Sequence, residues 1–570
     1  MTNTSQRDHA LFALAFLLAL ALRLIRLDYL PLSDLEAGWA VQAFHLSQNA
    51  HPALGPQPGY ILPTAFLFFI FGSTDFLARV VPALAGALLV LVPYLLRERL
   101  PGKSAIILAF FLALEPGLLA LSRIAGSPIL AVSFTLLALS LWLAKHPRWA
   151  GFFGALALLS GPALWPGLLS LGSAWLATGG FNQLRGRGSN PESTEAAPAS
   201  HWEAWKPALI SGGITLIGFG TLFFLSPTGL GAAFSSLPAY LRGWTQPVDV
   251  PPWRPLLAVA VYEPLFLFFA IIAIVRGILA RDRQIIFLSI WMAVALVLAV
   301  IYPSRQVADL AWMLVPLVSL AALEVSRALG FDSENRWEIA GMVVLTFAVL
   351  IFVALDFAAI ALTNPTPEDA RIRWILLGGA LLLLAVSITL VALGWSLNTA
   401  RKGALWGFII VMSLYTISVA TGASGLRANL TQELWRPDPQ PAQAGILLQT
   451  INELSTWKTG SEAALPVTVY GIDSASLAWL LRNQPVTFAS AAPADTSSPI
   501  VIGPFDPKAA LGAEYRGQDF IWRRYPGWNT ASLRDWLRWL ALHEMPQGEE
   551  PIMLWARTDL FLDSQNPSKP

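Results

Sequence analysis

The feature that most limits what this chain can fold into is a repeat of apolar blocks about 20 residues long, parted by short loops that hold most of the charge. A helix needs that length to cross roughly 30 Å of hydrocarbon, and in lipid only helices and closed barrels satisfy their own backbone. Composition agrees. Hydrophobic residues make up 55% of the chain and charged residues only 13%, against roughly 25% charged in ordinary domains, and the mean hydropathy is +0.57. The chain therefore reads as an α-helical polytopic membrane protein. A net charge of +1 with no basic tail gives no footing to nucleic acid, and the lack of Cys removes disulfides, thiolate metal sites and Cys nucleophiles. The first apolar run, 11–27, has no A-x-A-like cleavage site and reads as a retained span.

Hydropathy places thirteen spans near 10–27, 77–96, 104–122, 128–144, 149–161, 163–178, 207–226, 256–279, 284–302, 307–326, 337–358, 372–395 and 404–422. The pair at 149–178, split by SGPALWP, also reads as one broken helix pair. At 12 residues, ILPTAFLFFIFG (61–72) is short for a span and reads as a re-entrant or interfacial helix. With it left out and the N-terminus cytoplasmic, Arg97, Arg99, Lys103, Lys145, Arg148, Arg276, Arg281 and Arg283 fall on the cytoplasmic side, the distribution that basic loops follow. Counting it as a span inverts most of them. The membrane domain then covers 1–426, with an acidic first outer loop at 28–76 and a polar, disordered cytoplasmic loop at 181–206. After Gly422 the composition turns soluble. PVTVYG, PIVIGP and PIMLWAR read as strands, SLAWLLRNQ and SLRDWLRWLALHE as amphipathic helices. Residues 427–563 are thus expected to form an extracytoplasmic α/β domain, followed by a disordered tail at 564–570.

Candidate chemistry gathers on the outer side. Asp34 and Glu36 follow the first span, on a short helix that Ser33 or Asp34 caps. A carboxylate held in an apolar cleft has a raised pKa and makes a useful general base; a helix cap and a solvated loop acid are the plainer reading. Arg305, alone in an outer hairpin, has a guanidinium suited to holding a phosphate, or it snorkels to the headgroups with Asp309 as its partner. Arg123 ends a span at the same face and reads first as an interfacial anchor. His45 and His51 with Glu36 leave a divalent metal open, on weak spacing. Glu115 and Glu263, each before Pro, read as packing or kink sites. No nucleotide-binding or hydrolase motif is found.

Taken together, LPLSDLEAGWAVQAF, the Pro-rich stretch and short helix after it, and ALEPGLLALSRIAGSPILAVSFTLL resemble the membrane module of GT-C glycosyltransferases. The resemblance is to glycosyltransferase family 39, the protein mannosyltransferase and aminoarabinose transferase relatives that use polyprenyl-phosphate-linked sugars. It covers about residues 10–180 well, the later spans loosely and the external domain not at all. In that family an Asp-Glu pair in the first outer loop supplies the catalytic carboxylate. Here the EAGWA register sets Glu36 on the second acid and Leu35 where the Asp would stand, with Asp34 one residue away. A second family acid follows the Ser-Arg segment, where this chain has Ser127.

The resemblance implies an integral-membrane glycosyltransferase of the plasma (inner) membrane. It would move a sugar from a polyprenyl-phosphate donor to the hydroxyl of a glycan, lipid or protein acceptor, with inversion. Glu36 and Asp34 are then the expected catalytic acids, and Arg305, His51, Tyr60, Arg123 and Ser127 the expected substrate-binding set. Two alternatives stay open: a non-catalytic relative that assists export or assembly of lipid-linked glycan, and a transporter. No internal repeat supports the second.

Overall fold

The computed structural model describes residues 2–50, 52–180, 201–328, 336–362, 367–427, 432–436, 438–492, 498–509 and 511–561. His51, the loop at 181–200 and the tail at 564–570 lie outside the described residues. The expected polar loop ends earlier than its composition suggests, because residues 201–206 already belong to a helix.

The first half of the chain forms α1 (Thr2–Leu24), α2 (Asp34–Ser47), α3 (Pro58–Phe71), α4 (Asp75–Leu89), α5 (Val92–Leu95), α6 (Ser104–Leu114), α7 (Pro116–Ser122), α8 (Ile129–Leu143), α9 (Pro147–Leu159), α10 (Leu164–Trp175) and α11 (His201–Gly220). The short α12 (Thr228–Phe234) and α13 (Ser236–Arg242) follow, then α14 (Trp253–Tyr262), α15 (Pro264–Leu279), α16 (Arg283–Ile301), α17 (Ala311–Ala328), α18 (Arg336–Leu362), α19 (Pro367–Gly394) and α20 (Leu397–Ala423). Every segment expected to span is helical. Among the described residues, however, only 6 helices are long and apolar enough to cross a membrane, or 8 with each bent pair taken as one span. The 149–178 region is two separate short helices, α9 and α10, parted at 160–163.

The two bends have one cause. Glu115 precedes Pro116 and Glu263 precedes Pro264; proline has no N–H to donate and pushes the residue before it out of the helical region. The chain turns by 54° between α6 and α7 and by 95° between α14 and α15. Glu115 then caps the new helix, its carboxylate accepting from the Gly117 N–H at 3.0 Å and from the Leu118 N–H. Both glutamates are fully buried at these kinks.

The C-terminal region is an α/β domain with a six-stranded sheet in the order β1-β5-β6-β4-β2-β3: β1 (Gln440–Pro441), β2 (Val467–Tyr470), β3 (Val486–Ala489), β4 (Ile500–Pro504), β5 (Tyr515–Pro526) and β6 (Gln547–Arg557). β2 runs parallel to β3 and β4, and the other pairs are antiparallel. Its helices are α21 (Ala444–Thr459), α22 (Ala475–Leu480) and α23 (Leu533–Leu542). Leu447, Val467, Val469, Leu477, Ile500, Ile502, Trp522 and Leu554 form its core. α22 rests on α2, and Trp479 is wedged between Phe44 and Phe68 at centroid distances of 6.4 and 5.5 Å.

Candidate functional site

The segment after α1 is organised by ion pairs. Ser33 caps α2: its hydroxyl accepts the Glu36 N–H at 3.4 Å, while the Ser33 N–H donates back to Glu36 Oε2 at 3.2 Å. This reciprocal box turns the Glu36 side chain towards the start of the helix, where Arg79 of α4 meets it with two bonds of 2.7 Å. The Ala125 N–H adds a fourth donor at 3.1 Å. Glu36 and Arg79 are 3% and 1% exposed, so this is a buried, bidentate pair. Burial pushes the Glu36 carboxyl up, but Arg79 outweighs it, helped by Arg436 and the Ala125 N–H, and holds it below the usual range. Arg79 also donates to the carbonyls of Leu27, Leu30 and Pro31, fixing the turn after α1.

Asp34 is engaged elsewhere. It accepts the Ser474 hydroxyl and the Ser476 N–H and hydroxyl, each at 2.8 Å, and pairs with Arg523 at 2.6 Å. Burial raises its carboxyl; these donors and Arg523 together bring it below the ordinary value. Of the other expected residues, the described ones are held by backbone carbonyls. Arg123 donates to Leu22, Arg23, Ile25, Arg26 and Ser424 carbonyls, closing the C-terminal end of α1. The Tyr60 hydroxyl donates to the Ala78 carbonyl at 2.8 Å and the Ser127 hydroxyl to the Leu121 carbonyl at 2.6 Å. Arg305 gives Nε to Val300 and Nη1 to Val250 carbonyls; among the described residues its Nη2 has no hydrogen bond, and Asp309 is not its partner. No group of three His, Cys, Asp or Glu side chains suited to a metal occurs among the described residues.

Two of the concavities that border this segment bear on its chemistry. The first, of about 230 Å³, lies between Leu35 and Trp39 of α2, the 126–128 and 160–166 turns, and the end of α16 with the 3₁₀ turn Val307–Leu310. Its polar groups are Gln57, Ser160, Tyr240, Tyr302, Gln306 and Asp309. Tyr240 and Tyr302 stack at 5.2 Å and 17°. Gly126, at φ +70°, lets the Trp39 indole press on the backbone, where any Cβ would strike the ring. Asp309 is the cavity's single carboxylate. One oxygen accepts the Gln306 N–H at 2.8 Å, and the other has no donor among the described residues. Glu36 and Asp34 do not line this cavity; Leu35, between them, does.

The second, about 450 Å³, lies between Tyr29–Pro31, the C-terminal end of α20 and the α/β domain. Arg427, Arg436, Arg524, Glu433 and Asp438 line it. The Glu433 carboxylate accepts the Tyr262 hydroxyl at 2.5 Å and His543 Nδ1 at 3.0 Å. Burial, then the negative Glu36, raise the Asp438 carboxyl to about 6, against the pull of the Ser33 hydroxyl. Burial and Arg79 lower the Arg436 guanidinium to about 10. Sequence reading passed over Arg79, Arg436 and Asp438. A lone Arg early in an apolar span was the one signal that could have flagged Arg79.

No family model and no curated protein matches the sequence. Among solved structures, the chain is similar to ArnT from Cupriavidus metallidurans bound to undecaprenyl phosphate, with a TM-score of 0.54 at 13% identity, over 96% of this chain and 98% of that one. The same protein in the apo state aligns with a TM-score of 0.46 at 15% identity, over 84% and 86%. The first likeness gives this chain the fold of that protein over nearly its whole length, including the C-terminal region that the sequence resemblance leaves out.

Proposed function

We propose, from that fold, that the chain is a multi-pass inner-membrane glycosyltransferase that takes a sugar from a polyprenyl-phosphate donor and gives it to an acceptor hydroxyl at the outer face. The observation that carries the reading is the whole-length likeness to a protein solved with undecaprenyl phosphate, joined to a polar, aromatic-walled cavity at the ends of the spans. Stacked Tyr240 and Tyr302, Trp39 and two Gln amides form a lining suited to a sugar ring. Arg305, beside Gln306, has one guanidinium edge left for the lipid phosphate and would stabilise the charge that develops as it departs. A single displacement needs no protein nucleophile and inverts the anomeric carbon. The Arg427, Arg436 and Arg524 cleft lies across the same outer segment and suits an anionic group of the acceptor.

Glu36 and Asp34 were the expected acids. Each already accepts several donors, each has a lowered pKa, and neither lines the cavity. Our reading gives them the task of fixing α2, so that Leu35 and Trp39 wall the cavity. The test is transfer of a radiolabelled sugar from polyprenyl-phosphate donors by the purified protein. Transfer supports the reading; donor binding without transfer, across several sugars, points to the non-catalytic relative.

A further inference from the structure

The cavity beside Leu35 holds one carboxylate and no other acid. It comes from a wall other than α2, on the 3₁₀ turn that follows the Tyr302–Gln306 hairpin. Three observations bear on it. The position where the sequence resemblance expects an acid is a leucine, and that leucine faces the cavity. The nearby acids of α2 are turned away, into Arg79 and Arg523. Asp309 keeps one oxygen free of donors among the described residues, while the Gln306 N–H steadies the other.

We propose that Asp309 is the general base of this enzyme, facing a substrate hydroxyl from across the cavity; the inference rests on the transferase reading above. In the step, the acceptor hydroxyl oxygen bonds to the anomeric carbon. The bond from that carbon to the phosphate oxygen breaks, and the polyprenyl phosphate leaves with the electron pair. The hydroxyl proton passes to the free Asp309 oxygen and then to solvent. Bonds and charge balance without metal or redox partner. A base on the Asp309 wall leaves Leu35 as apolar packing against the sugar, which explains why the α2 position can lack an acid.

The experiment compares wild type, Asp309→Asn, Leu35→Asp and the double variant, reading kcat, KM and binding of the polyprenyl-phosphate donor separately. Asn still accepts the Gln306 N–H, so the turn is retained. Loss of about 100- to 10,000-fold in kcat with unchanged donor binding is expected for Asp309→Asn. Partial recovery in the double variant, where a carboxylate returns from the other wall, is expected as well. Asp309→Asn with near-wild-type kcat overturns the inference and leaves the transferase reading standing. So does loss confined to donor binding, which makes Asp309 a binding or structural residue. Absence of transfer by wild type overturns the transferase reading itself, and this inference with it.

Discussion

At the scale of single residues, the Glu36–Arg79 pair decides how the turn after α1 and the start of α2 are built. Removing one member of a buried, hydrogen-bonded pair leaves an unpaired charge and costs about 3–5 kcal/mol. Glu36→Gln keeps the volume but strands Arg79, so thermal unfolding is expected to move down sharply, and activity to fall with the folded fraction. A Glu36→Gln protein that melts like wild type but has lost kcat would return the base to Glu36. The sequence exposed Glu36 as unusual, an acid just beyond a span, but not where its side chain points. That direction comes from the reciprocal Ser33 box and from Arg79, 43 residues away. Asp309 was legible only as a neighbour of Arg305; the backbone carbonyls that take up that guanidinium lie in the last turn of α16 and in the 248–250 loop, and no local pattern announces them.

At the scale of elements, α22 joins the α/β domain to the membrane domain. Asp34 meets Ser474, Ser476 and Arg523, while Asp75 accepts the Trp479 indole N–H at 2.7 Å and Ser73 accepts from Arg482 at 2.9 Å. Asp34→Asn gives up the charged part of this contact, worth about 1.5–3 kcal/mol, and is expected to speed limited proteolysis of the α/β domain while the spans stay intact. Acid acts on the same contact. Asp34 and Glu36 ionise more readily folded than unfolded. Their stabilisation is therefore complete above the ordinary carboxyl value, about 4, and is lost as pH falls through the lowered folded values. Protease resistance should hold from pH 7 to about 5 and fail below about 4; failure already between 7 and 5 would mean another group controls the joint. Helix breaks at the Glu-Pro pairs were readable from proline chemistry. β5 was not, because charged residues interrupt its pattern: Arg523 and Arg524, neighbours on opposite faces of the strand, pair across to Glu550 and Glu549, which masks the usual apolar alternation.

At the scale of the whole molecule, α22 also settles how α3 lies. Asp34, before α3, and Ser73 and Asp75, after it, all bind residues 474–482 of the α/β domain. Both ends of α3 are therefore on one side, and its 14 residues rise only about 21 Å, short of the roughly 30 Å of hydrocarbon. Its exposed Phe66, Phe69, Ile70 and Phe71 suit an interfacial or re-entrant helix. The same contacts put the first outer loop and the α/β domain on one side, which demands an even number of crossings between α4 and α20; the twelve later segments read from hydropathy meet that demand. We propose that this side is the outer one, since basic loops favour the cytoplasm. The chain has no Cys, so single cysteines report cleanly. Ser461→Cys, exposed on the α/β domain, is expected to react with a membrane-impermeant maleimide in intact spheroplasts, and Lys103→Cys, exposed between α5 and α6, only after permeabilisation. The opposite pattern would turn the protein over, and labelling of both in intact cells would mean that the Asp75–Leu95 segment does not cross. The opposite pattern would also remove the outer face as the place where donor and acceptor meet, since the cavity and the α/β domain sit on the same side of the spans.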